Sequence, residues 1–127
     1  MKLSYIDTSV VVGIAFGEPG GATLRSRLTR FDRLFSSNLL EAEFRSALLR
    51  ERIENPGEDL LGFITWIYPN RSLKPEIDRV AASGYLRGAD LWHLANALFL
   101  APDSRELTFL TLDRRQREIA VDLGFRI

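Results

Sequence analysis

Short apolar runs alternate with helix-length segments along this chain, and no hairpin dipeptide joins one strand-like run to the next. Strands separated by helices in this way pair in parallel, and a parallel sheet needs helices over both of its faces. The expected architecture is therefore α/β: three layers, α/β/α, around a central, mostly parallel sheet of four to five strands. No internal repeat, low-complexity segment or linker interrupts the pattern, which predicts one domain spanning residues 1–127.

Taken in order, Leu3–Ser4–Tyr5–Ile6 is a short strand, and Asp7–Thr8–Ser9 caps a helix running through Phe16. Gly17–Glu18–Pro19–Gly20–Gly21 breaks that helix, and a second continues to about Thr29. Arg33–Leu34–Phe35–Ser36 is the next strand. Ser36–Ser37–Asn38 then caps a helix from about Leu39 to Ile53, with an apolar stripe of Leu40, Phe44, Ala47 and Leu48. Asn55–Pro56–Gly57 ends it. A further helix is expected over Glu58–Ile67, cut by Pro69, with an extended piece around Ser72–Leu73. Pro75 opens the next helix, to Ser83, and Gly84 and Gly88 flank the turn into the most apolar helix, Ala89 to Ala101. Leu107–Leu112 is a buried strand, a helix to Leu123 follows, and Gly124–Ile127 is expected as a last edge strand.

Composition narrows the function classes. There is no cysteine, which removes disulfides, thiolate zinc sites and thiol catalysis, and fits a reducing cytosol. The first residues meet Asp7 too soon for a signal peptide, and no apolar run reaches the roughly 18 residues of a membrane span. The expectation is a cytoplasmic protein with no membrane contact. Formal net charge is zero, so bulk electrostatics do not hold nucleic acid here; any such binding has to be local. All basic residues but Lys2 and Lys74 are Arg, whose fork suits phosphates and carboxylates, although a GC-rich genome produces the same bias.

Four acids stand in informative places. Asp7 and Asp113 each terminate an apolar strand and open a helix, and in open α/β sheets ligands bind beyond the carboxyl ends of the strands. Each also has the makings of a plain N-cap aspartate. Asp90 lies in the first turn of a helix that is apolar almost all round, so its carboxylate faces a cavity or a partner, and a cation is a reasonable companion. On the Leu39–Ile53 helix, Glu43 and Glu41 border opposite sides of the buried stripe, and periodicity alone does not choose between them. Carboxylates gathered at one sheet end, with no cysteine and a single histidine, are what hard, oxygen-loving cations require. Such a site activates water and steadies a phosphoryl group during in-line displacement.

The local words around these acids resemble those of PIN domains. Tyr5–Ile6–Asp7–Thr8–Ser9–Val10 is similar to their opening, Glu43–Phe44–Arg45–Ser46–Ala47–Leu48 to their helical glutamate motif, and Leu86–Leu98 to the turn and helix carrying R-x-x-D and H-L-A-x-A. Phe109–Leu110–Thr111–Leu112–Asp113–Arg114 resembles a strand ending in T-x-D, and Leu123–Gly124–Phe125 the close. The resemblance selects Glu43 over Glu41 and implies a single PIN-like domain with a metal site of Asp7, Glu43, Asp90 and Asp113. It further implies a Mg²⁺- or Mn²⁺-dependent endoribonuclease holding one or two ions, the VapC-like toxin of a type II toxin–antitoxin pair, a homodimer, an RNA substrate and a small cognate antitoxin. One departure stands out: Arg114–Arg115–Gln116–Arg117 brings no further acid after Asp113, which puts a second ion in doubt.

Around the acids, Thr8 and Thr111 have hydroxyls able to orient a ligand or a carboxylate, and both also suit their places as a cap and a strand residue. Arg87, Arg114 and Arg115 flank the site and suit RNA phosphates or neighbouring acids equally. His93, one turn after Asp90, fits a satisfied core histidine better than a catalytic one. Phe31, Phe35, Phe44, Phe63, Trp66 and Ile67 supply much apolar surface, mostly core, with some available to a groove for an antitoxin helix. Other enzyme classes fit worse: Ser9 replaces the second acid of a D-x-D phosphatase, Lys74 is badly placed for a receiver domain, and no glycine-rich phosphate loop is present. The alternative from another class is a non-catalytic PIN-fold module that binds RNA or protein. It predicts a broken acid set, and all four acids are present.

Overall fold

The computed structural model describes residues 1–54 and 58–127; Asn55–Pro56–Gly57, read above as the end of the third helix, lies outside the described residues. Four strands, β1 (Leu3–Ile6), β2 (Arg33–Ser37), β3 (Ile64–Ile67) and β4 (Thr108–Leu110), form one sheet in the order β3-β2-β1-β4. Every neighbouring pair is parallel: Tyr5 stands beside Phe35 and Phe109, and Ser36 beside Trp66. Among the described residues, seven α-helices connect and cover them: α1 (Thr8–Ala15), α2 (Gly21–Leu28), α3 (Leu39–Glu51), α4 (Glu58–Leu61), α5 (Lys74–Ser83), α6 (Gly88–Leu100) and α7 (Arg114–Asp122).

Side chains alternate across the strands and build two cores. Tyr5, Ile67 and Phe109 join Leu94, Leu98, Ile119 and Phe125 beneath α5, α6 and α7. Ile6, Ile64 and Leu110 join Val10, Val11, Leu40, Phe44 and Leu48 beneath α1 to α4. Each fully buried Leu, Ile or Phe contributes about 1.5–3 kcal/mol, so both faces are well anchored. Tyr5 and Phe109 stack across the β1–β4 pair, with ring centroids 5.3 Å apart and planes 6° from parallel.

Three expectations need correction. The helix expected over Glu58–Ile67 is only the single turn α4; after Gly62 the chain becomes the edge strand β3. Leu60, Leu61, Ile64 and Ile67 do fit a helical stripe, but Ile64–Thr65–Trp66–Ile67 is β-branched and aromatic, and β2 offers it a partner. Ser72–Leu73 forms no strand and leads directly into α5. The expected last strand is one parallel bridge, Thr108 to Arg126, so the sheet has four strands and is wholly parallel.

Strand order decides where a ligand can go. From β1 the chain steps outward to β2 and β3 beneath one helical layer, then returns over the other face through α5 and α6 to β4, on the far side of β1. The winding reverses between β1 and β4, which opens a crevice at their carboxyl ends.

Candidate functional site

Asp7 and Asp113 leave the two strands that flank this crevice, and both are helix caps. Asp7 Oδ2 accepts from the Ser9 N–H at 3.0 Å, and Asp113 Oδ1 accepts from the Gln116 N–H at 2.7 Å. A cap occupies one oxygen of each. The other Asp7 oxygen, Oδ1, accepts from Gln116 Nε2 at 3.1 Å, and Asp7 as a whole is only 4% exposed. Asp90, in the first turn of α6, is half-buried, and the nearest cation to it is Arg87, whose Nε lies 3.7 Å from Oδ2. Burial first, then the charges of Asp7 and Asp113, push the Asp90 carboxyl above its ordinary range, against Arg87 and His93. Asp7 and Asp113 thus lie near enough to Asp90 to act on its carboxyl.

Glu43 joins them through histidine. Its Oε1 accepts from Thr8 Oγ1 at 2.7 Å and from His93 Nε2 at 2.9 Å. The hydrogen bond from His93 holds Glu43 below the usual carboxylate range, against its partial burial, with Thr8 and the charge of His93 adding to it. His93 Nε2 also lies 3.8 Å from Asp7 Oδ1. Behind the ring, Nδ1 meets the Tyr5 hydroxyl at 2.7 Å, which itself accepts from the Ser37 N–H at 3.1 Å. Burial drives the Tyr5 phenol far above its ordinary pKa, so it keeps its proton. Nε2, facing the Glu43 carboxylate, carries a proton, because a carboxylate only accepts. Glu41, by contrast, pairs on the surface with Arg45 at 3.0 Å, and the structure chooses Glu43 for the crevice.

The remaining residues divide. Thr8 belongs to the Glu43 cluster. Thr111 is buried, donating to Gln116 Oε1 at 2.6 Å and accepting from the Asp113 N–H at 3.0 Å. Arg87 is 80% exposed at the lip beside Asp90. Arg114 is not brought to the acids; it lies along α7 at 3.4 Å from Glu118, as does Arg115. Phe44 and Ile67 belong to the cores, while Phe31 and Phe63 border a cavity of about 360 Å³ with Leu28, Leu34 and Leu60, beside the start of β2.

Two residues of the site were not singled out from sequence. His93 was read as core and is core, at 1% exposure, yet it also carries Glu43. Gln116 figured only as a missing acid. Its signal was the spacing Asp113–Arg114–Arg115–Gln116, that of a helix cap with an amide at the third helical position.

Among the described residues, no three His, Asp or Glu side chains are placed to hold an ion together as they stand. The donor set itself fits a hard divalent cation: carboxylates only, mutually repelling, with neutral amide and hydroxyl donors around Asp7.

A parallel α/β/α domain with acids gathered at its switch point is of the class that binds ligands beyond its strand ends. Residues 4–122 match the PIN domain, and the chain belongs to that family. PIN domains are typically nucleases, which places the chain coarsely among hydrolases. Neither curated proteins nor solved structures yield a match. Among the described residues, no helix is long and apolar enough to cross a membrane.

Proposed function

We propose that this protein is a Mg²⁺- or Mn²⁺-dependent endoribonuclease, hydrolysing RNA phosphodiester bonds as the toxin of a VapC-like toxin–antitoxin pair. The observation that carries the reading is that Gln116 ties Asp7, Asp113 and the Asp90 backbone together at the β1–β4 switch point, with Glu43 tied in through His93. Asp7, Asp90 and Asp113 would hold one or two ions, with Glu43 contributing directly or through water. A divalent cation bound there would polarise a phosphoryl oxygen and make a water nucleophile available near neutral pH.

The protein's own part is preorganisation. Ser9 and Gln116 fix the Asp7 carboxylate from two sides, and Thr8 and His93 fix Glu43 by one oxygen. These bonds aim the two carboxylates before any ligand arrives, and the one from His93 favours the charged form of Glu43. Arg87, at the lip, is placed to meet a substrate phosphate. No side chain need act as nucleophile. A cytoplasmic homodimer paired with a small antitoxin completes the proposal, on the strength of the motifs quoted above.

A second reading, a non-catalytic PIN-fold module that binds RNA or protein, draws on one observation: no three donors among the described residues converge. Incubating purified, antitoxin-free protein with a pool of tRNA and rRNA fragments separates the two. The assay takes Mn²⁺ or Mg²⁺, a chelator arm, and a folded Asp7→Asn control. Cleavage that needs metal and vanishes in the control supports the nuclease. Equal behaviour of wild type and control on every RNA supports the binding module.

A further inference from the structure

Gln116 is fully buried at the third position of α7, where an amide ordinarily folds back to accept the N–H of its own cap residue. Here that N–H, of Asp113, already goes to Thr111 Oγ1 at 3.0 Å, and the Gln116 side chain turns inward. Its Nε2 donates to Asp7 Oδ1 at 3.1 Å and to the main-chain oxygen of Asp90 at 3.2 Å. Both amide protons are thereby committed, so Oε1 must accept, and it takes the Thr111 hydroxyl proton at 2.6 Å. Thr111 in turn accepts from Ser9 Oγ at 3.2 Å, and Ser9 Oγ accepts from the Leu112 N–H at 2.9 Å. Thr111 Oγ1 also lies 3.4 Å from Asp7 Oδ2, and its proton serves the shorter contact, to Oε1. Turning the amide over would set acceptor against acceptor at Asp7 and at Asp90.

Resting on the metal-dependent reading above, we infer that Gln116 is a positioning residue for the acidic site. Through one side chain it sets the rotation of the Asp7 carboxylate and anchors the turn that carries Asp90, while its backbone N–H holds Asp113. The amide is suited to this place because it donates without bringing a positive charge. A Lys or Arg here would cancel the negative field that attracts a cation; an apolar residue would leave Asp7 Oδ1 without its partner. Removing a hydrogen-bonding partner of a metal-ligating carboxylate typically weakens metal binding about 10–100-fold.

The test is calorimetric titration of Mn²⁺ into wild type, Gln116→Met and Gln116→Glu, with thermal melts of each without metal. Ser104→Ala serves as a stability control, since Ser104 Oγ donates to the Leu123 carbonyl at 2.6 Å, away from the acids. Gln116→Met should fold and bind Mn²⁺ about 10–100-fold more weakly, with kcat for RNA falling more than KM changes. Ser104→Ala should melt lower yet keep its Mn²⁺ affinity. Gln116→Glu preserves the acceptor for Thr111 but faces Asp7 and Asp90 with oxygen, so its metal-free form should melt below that of Gln116→Met. Should Gln116→Met fail to fold, Thr111→Val, which releases the amide to turn, carries the same expectation for Mn²⁺. Mn²⁺ affinity of Gln116→Met within twofold of wild type overturns the inference and leaves the metal-dependent reading standing. Absence of Mn²⁺ binding by wild type overturns both.

Discussion

At Asp90, burial and the charges of Asp7 and Asp113 all favour the uncharged form, against His93 and against Arg87, which is mostly in solvent at 3.7 Å. A carboxylate in that position costs the metal-free fold stability, because like charges in a half-desolvated crevice repel. Asp90→Asn should therefore raise the melting temperature of the metal-free protein while abolishing metal-dependent cleavage. A lower melting temperature in scanning calorimetry would show that Asp90 stabilises the fold instead. Tyr5 makes the opposite case, since its hydroxyl serves the Ser37 N–H and His93 Nδ1 together at zero exposure. Tyr5→Phe strands both, and urea unfolding should show a loss of about 1–3 kcal/mol. That Asp7 and Asp113 stand where a strand ends and a helix begins was legible in the sequence, because those boundaries are marked locally. The choice of Glu43 was not legible from periodicity, since Glu41 sits equally well beside the stripe. In the structure Arg45 takes Glu41 and His93 takes Glu43.

Between elements, close approach is set by small residues. A Cβ added at Gly21 would lie 2.6 Å from the Gly13 carbonyl oxygen, so α1 and α2 pack there backbone to backbone. Gly21→Ala has to push the two helices apart, and chemical denaturation should show a loss of about 1–3 kcal/mol. Elsewhere, element identity depended on context. The caps at Asp7 and Asp113 lie where their local sequence puts them, and α1 and α7 begin at the next residue. The stretch from Glu58 fits a helical stripe as well as a strand, and pairing with Leu34–Ser37 is what makes Ile64–Ile67 extended. A strand draws its hydrogen bonds from a neighbour distant in sequence, and no local pattern reports that neighbour.

The molecule as a whole is one sheet between two apolar cores, and each core contains residues of the same strands. Losing either core exposes the sheet to the other's solvent, so the two should melt together. Trp66 packs against the core under α1 to α4, and Trp92 lies on α6 over the other face. Single-tryptophan variants Trp66→Phe and Trp92→Phe should give fluorescence midpoints that coincide with each other and with far-ultraviolet circular dichroism. Separate midpoints would mean the layers unfold independently. Because a cation would bind only the folded crevice, Mn²⁺ should raise the melting temperature of wild type and leave that of Asp7→Asn nearly unmoved.

By itself the sequence determined the α/β class, the alternation of strands and helices, and the caps at Asp7 and Asp113 beyond strand ends. Hydrophobic period and capping chemistry act within a few residues, and they are readable there. Only the tertiary structure decided the order β3-β2-β1-β4, the strand at Ile64–Ile67, and the two networks that aim the acids. Tyr5 meets His93 across 88 residues, and Asp7 meets Gln116 across 109. Contacts of that span exist only once the crossover through α5 and α6 has laid β4 beside β1, because a side chain's partner is fixed by distance in space rather than along the chain.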